Sequence, residues 1–155
     1  MSRRRYMGLI CSCLLFLVAC GDVRQPHPSS IPSPYPPTDY AHELFVQTND
    51  FREAEGLPPF TESTCAEAAA LTRAAALIGA AELSHAPMKP VLDSCDVNLS
   101  AENLANSSAS PREVVAAWIE SPGHRNNMVD ASLQKLGVGC VQNGDDMLCA
   151  QIFLG

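Results

Sequence analysis

The chain has 155 residues, 46% of them hydrophobic, which is enough apolar material to bury one core and makes one globular domain the expectation. Its formal net charge of −7, from 17 acidic against 10 basic residues, excludes nucleic acid and anionic lipid headgroups as partners, because both reward surface clusters of Lys and Arg.

The one run of basic residues, Arg3-Arg4-Arg5, precedes a largely apolar run from Tyr6 to Ala19, the pattern of an export signal. That run is shorter than the ~20 residues a membrane-spanning helix needs. It ends in Leu17-Val18-Ala19-Cys20 and resembles a bacterial lipobox, which implies cleavage before Cys20 and lipidation of its thiol. An uncleaved anchor is the competing reading. Either way the domain is expected outside the cytoplasm, held to a bacterial membrane. Removing residues 1–19 takes away three arginines and no acids, leaving 7 basic and 17 acidic residues and a net charge of −10.

Residues 20–38 form the expected linker. Six prolines fall between Asp22 and Thr38, in a stretch reading QPHPSSIPSPYPP. Such a composition favours extended polyproline geometry, a spacer of at most about 50 Å at ~3.1 Å per residue. His27, inside it, is read as solvated.

The globular domain is assigned to residues 39–155. Tyr40, Leu44, Phe45, Thr48, Phe51 and Arg52 fall at helical spacing and predict a helix from about Asp39 to Glu55, stopped by Gly56 and Pro58-Pro59. An alanine-rich helix is predicted from about Ser63 to Leu83, with Leu71, Ala75 and Ile78 buried and Glu67 and Arg73 facing water. Pro87 and Pro90 bar its continuation, so His85 falls just past its end. Residues 88–98 read as loop, and Leu99 to Ala105 as either a helical turn or a strand entry.

Ser110-Pro111-Arg112-Glu113 has the form of a capping box with proline at the first helical position, opening a helix that runs to about Glu120. Ser121-Pro122-Gly123 ends it, and a short turn is expected from His124 to Val129. Two β-like runs, Lys135 to Val141 and Met147 to Phe153, flank the turn Asn143-Gly144-Asp145-Asp146 and predict an antiparallel hairpin. Gly137 and Gly139 point to a close approach of backbone on one face. Helices first and strands last make an α+β domain, a small antiparallel sheet covered by helices.

Seven cysteines sort by fate: Cys11 and Cys13 leave with the signal and Cys20 takes lipid. Four remain in an oxidising compartment, and three pairings are possible. A hairpin centred on the Asn143 turn sets Gln142 opposite Met147 and Cys140 opposite Cys149, which leaves Cys65 for Cys95. A zinc site of four thiolates is the rival, but no CxxC spacing occurs after residue 20.

The groups best suited to bind a divalent metal or move a proton are two imidazoles, His85 and His124, and two carboxylates, Glu102 and Glu120. Glu120 closes a helix whose dipole it opposes, so a cation is expected beside it, either Arg125, His124 or a metal ion.

These residues sit in a recognisable set: TNDFR at 48–52, GLPPF at 56–60, LSH at 83–85, AENLA at 101–105, AWIESPGHRNNM at 117–128, then LGVGC and AQIF. In order and spacing the set resembles the CAP superfamily of cysteine-rich secretory proteins, antigen 5 and plant pathogenesis-related class 1 proteins, in its bacterial branch. The resemblance spans about Asp39 to Gly155. It implies a three-layer α-β-α sandwich and a central cleft of two histidines and two acids, matched here by His85, Glu102 and His124. Zinc or another divalent cation is the implied cofactor. A lipid, a peptide or an envelope protein is the implied partner. Two positions depart from the family: Ala101 replaces the usual glycine before the motif glutamate. Glu120 stands two residues after Trp118, where animal members place the acid three after.

A non-catalytic, lipid-anchored binding module is the function expected. The alternative is a metal-assisted hydrolase with Glu102 as general base. Neither an HExxH nor a GxSxG motif is present to support catalysis.

Overall fold

In the computed structural model, which describes residues 35–155, the capping signals of the sequence set where helices begin, and the sheet decides which faces they bury. The expected signal segment, Cys20 and most of the linker lie outside the described residues. The first helix, α1 (Pro37–Ala54), starts with proline in its first turn and buries Tyr40, Leu44, Thr48 and Arg52, one side chain per turn. A two-residue strand follows, β1 (Thr61–Glu62), then α2 (Thr64–Ala76), whose N-cap Ser63 accepts from the Ala66 N–H.

α2 departs from expectation in length and in rotation. It stops at Ala76, and its buried stripe is Ala66, Ala70 and Ala74, while Leu71 and Ile78 are 48% and 54% exposed. The cause lies across the interface. A Cβ on Gly137 or Gly139 would strike the α2 backbone at Ala66, Glu67, Ala70 and Leu71, so only the helix face with the smallest side chains can meet the sheet. Beyond Ala76 the helix has outrun the strand beneath it: the Gly79 N–H already reaches the Asn143 side chain at the hairpin tip, and Gly79 turns the chain away at φ +72°.

The segment expected as loop contains α3 (Lys89–Cys95), tied to α2 by the Cys65–Cys95 disulfide. The ambiguous stretch is a strand, β2 (Ser100–Ser107). The next helix, α4 (Pro111–Glu120), carries the full reciprocal capping box between Ser110 and Glu113. Tyr40 pins its entry by donating to the Ala109 carbonyl at 2.7 Å, and burial, with the Glu113 charge adding, pushes the phenol up to about 12. In place of the expected turn, α5 (Pro122–Val129) begins at once, because Pro122 both ends α4 and is pre-set for a first helical position.

The hairpin, β3 (Lys135–Asn143) with β4 (Asp146–Leu154), has the predicted register, with Gln142 opposite Met147 and the disulfide partners Cys140 and Cys149 face to face. The sheet order is β1-β3-β4-β2, antiparallel except for the β1–β3 pair. One face packs α2 and α3 through Ala66, Ala70, Val91, Leu104, Ala150 and Ile152. The other packs α1 and α4 through Leu44, Val114, Trp118, Leu136 and Phe153, with Met128 of α5 among them. This is the expected three-layer α-β-α sandwich, with β2 at one edge.

Candidate functional site

The β2 edge is where the two helical layers come round to each other, and three of the four predicted site residues come from its neighbourhood. Glu102, on β2, has a side chain only 3% exposed. Its two oxygens are both engaged: Oε2 accepts from Arg73 Nε at 2.6 Å and Oε1 from His85 Nδ1 at 2.7 Å. Arg73, expected to face water, instead neutralises this buried acid from α2 and donates to the Ala86 carbonyl, which holds the loop carrying His85. With Nδ1 turned to the carboxylate, His85 has no hydrogen-bond partner at Nε2 among the described residues, and its side chain is 62% exposed. Such a carboxylate–histidine pair fixes both ring orientation and tautomer.

His124 lies in the first turn of α5, its ring centroid 6.5 Å from that of Trp118. Its Nδ1 is buried without a hydrogen-bond partner among the described residues. Burial, and secondly the charge of His85, depress its pKa below the usual imidazole value. A lowered pKa favours the neutral imidazole, the form in which the ring ligates a metal.

Glu120 stands apart. It is exposed at the end of α4, and the surface pairing considered for it with Arg125 does not form, since Arg125 reaches Glu55 at 2.6 Å instead. Among the described residues no three or more His, Cys, Asp or Glu side chains gather as a metal-binding group. Of the four residues drawn from the sequence, only His85 and Glu102 are hydrogen-bonded to one another among the described residues.

The residues that tie these elements together lie in the quoted motifs, but their partners are set by the fold. Asn103, in the stretch read as either a helical turn or a strand entry, is fully buried on β2. It donates to the His124 carbonyl at 3.3 Å and to Gln151 Oε1 at 3.1 Å, while accepting from Asn127 at 2.9 Å. Gln151 in turn donates to Thr48 at 2.7 Å, linking α1, β4, β2 and α5 in one buried amide chain. Arg52 serves the other end of α5, donating to the carbonyls of Pro58, Met128, Asp130 and Leu133. A groove of about 290 Å³ runs from His124 along β2 and α4, floored by Leu104, Ala105, Val114, Ala117 and Trp118.

Comparison with known proteins places this geometry in context. The model of the cysteine-rich secretory protein family, CAP, matches residues 46–153. An uncharacterized protein of Bacillus subtilis, YkwD, is 41% identical over 54 residues, 35% of this chain and 20% of that protein. An extracellular SCP-domain protein of Bacillus anthracis superposes with a TM-score of 0.67 at 22% identity over 76% of this chain and 40% of its own. An outer surface protein of Borrelia burgdorferi gives 0.70 at 20% identity, covering 77% of this chain and 95% of that one. The chain thus spans well under half the length of the two Bacillus proteins.

Proposed function

The chain belongs to the cysteine-rich secretory protein (CAP) family, and from that premise we propose that it is an extracytoplasmic, lipid-anchored binding module. Its His85 and His124 hold a divalent cation and present the adjoining groove to an apolar or peptide ligand. The observation that carries the reading is the asymmetry of the two histidines: His85 is oriented through Glu102, whereas His124 is neutral, part-buried and unpartnered at Nδ1. Zinc at this point would supply a positive anchor for an oxygen or nitrogen donor of the ligand.

Binding is favoured over hydrolysis by the state of Glu102. A general base needs a carboxylate oxygen within reach of the proton it takes, and here both oxygens are occupied by Arg73 and His85. The carboxylate positions; it does not abstract. Export and anchoring rest on the basic-apolar leader and on Cys20, and the extracellular or outer-surface description of the B. anthracis and B. burgdorferi proteins accords with them.

Calorimetric titration of the full chain with zinc tests the site. Micromolar binding is expected, lost in the His85→Ala, His124→Ala double variant and weakened about 10- to 100-fold by Glu102→Gln, the usual cost of removing an orienting partner. Failure of the wild-type chain to bind zinc or another divalent ion overturns the metal reading. A zinc-dependent product from a panel of esters and peptides that vanishes with Glu102→Gln overturns the non-catalytic one.

A further inference from the structure

The two outer edges of the sheet are finished differently. Along β2 the outward carbonyls of Glu102 and Leu104 accept from the side chains of Asn127 at 3.1 Å and Trp118 at 3.2 Å, so that edge is closed. Along β3 the only cover among the described residues is β1, which reaches Lys135 and Leu136 and no further.

The phase of the strand shows which groups are left beyond it. Ser63 N–H donates to the Leu136 carbonyl, so even-numbered residues of β3 turn their peptide groups away from β4. The 4.1 Å Cα separation of Cys140 and Cys149, the narrow spacing of a pair that exchanges no backbone hydrogen bonds, gives the same phase. The N–H and C=O groups of Val138 and Cys140 therefore face outward, and among the described residues they meet no backbone partner there. Yet the two residues are only 7% and 4% exposed. Unpaired peptide groups in a recessed position are an incomplete ladder.

That edge is the floor of a groove of about 240 Å³. Ala41, His42 and Phe45 of α1 line one wall and Glu67 and Leu71 of α2 the other, with Glu62 at the end where β1 departs. Glu62 and Glu67 are exposed, and neither takes part in an ion pair among the described residues.

We propose that the β3 edge is a second binding site, separate from the histidine cleft on the opposite edge, which takes an extended, basic peptide segment of a partner protein by strand addition. Donors and acceptors repeating at every second residue match only another peptide backbone in extended form. The two acids select Lys or Arg on the guest, and Phe45 and Leu71 receive its alternate apolar side chains. The recessed edge, walled by α1 and α2, suits a single extended strand better than the sheet of a second folded copy.

The test uses the full chain in zwitterionic detergent and a fluorescein-labelled hexapeptide of alternating valine and lysine, blocked at both ends. Saturable binding is expected, with slowed amide exchange at Val138 and Cys140. The Glu62→Lys, Glu67→Lys double variant, altered only at exposed positions, should weaken it by about tenfold or more through charge reversal. A peptide N-methylated at alternate amides should not bind. The His85→Ala, His124→Ala variant should bind as wild type does, which separates this site from the proposed metal cleft. Absence of saturable binding, equal binding of the N-methylated peptide, or loss of binding in the histidine variant overturns the proposal.

Discussion

Asn103 and Gln151 stand directly opposite each other on β2 and β4, both fully buried, with the Asn103 amide donating to the Gln151 carbonyl oxygen at 3.1 Å. Two carboxamides at the centre of an apolar sandwich persist because each also serves a helix: Gln151 through Thr48, Asn103 through Asn127 and the His124 carbonyl. Asn103→Leu leaves three partners unanswered in the interior. At about 1 to 3 kcal/mol for each stranded polar group, tempered by relaxation, a loss of roughly 2 to 4 kcal/mol is expected in urea unfolding. A loss below 1 kcal/mol would show that the chain of amides is not coupled.

Arg52 is a buried cation whose four hydrogen bonds among the described residues all go to carbonyls. Burial pushes its pKa down, Asp130 only partly opposing, and its guanidinium lies 3.8 Å from the Phe60 ring centroid. Arg52→Met strands carbonyls at both ends of the loops it joins and should cost about 3 to 5 kcal/mol. Arg52→Lys should recover little of this, because a single ammonium cannot span the fork that a planar guanidinium fills. Equal stability of the lysine variant and the wild type in the same urea titration would refute the account.

Close packing of α2 on β3 predicts a steep response to a single methyl group. In Gly139→Ala the new Cβ would lie 2.6 Å from the Leu71 Cα and 2.7 Å from the Ala70 carbonyl carbon. Since both are helix backbone, the whole of α2 must move, at a cost of about 2 to 3 kcal/mol. Gly123→Ala is the internal control, with open space around its Cβ position and a helical setting, and should be neutral or slightly stabilising. Thermal unfolding of the two variants side by side decides it.

His124 titrates below the 6.5 of a free imidazole in the folded chain. The unfolded chain therefore binds more protons than the folded one as pH falls through 6.5 towards the folded value. Stability is level above that window and declines across it as the solution is acidified. The ring resonances of His124, followed by NMR against pH, should give a midpoint under 6.5. His85→Ala should raise that midpoint, because a positive neighbour has been removed. An unchanged midpoint in the variant would mean that the rings do not sense one another.

The features legible in the amino-acid order are those in which the cause lies within a few residues of the effect. The reciprocal cap at Ser110 and Glu113 closes within one helical turn, and the turn at Asn143 sets both the hairpin register and the pairing of Cys140 with Cys149. The motif set spread over the domain names His85, Glu102 and His124, but not the hydrogen bond that joins His85 to Glu102. Tertiary structure alone decided the rest. The strand identity of β2 comes from pairing with β4, the rotation of α2 from two glycines some seventy residues later, and the engagement of Glu102 from Arg73 on a different layer. Helical periodicity names a set of possible faces, and a carboxylate carries no label for its partner; which face is buried and which cation answers depend on what the fold sets opposite, a long-range fact that no local pattern contains.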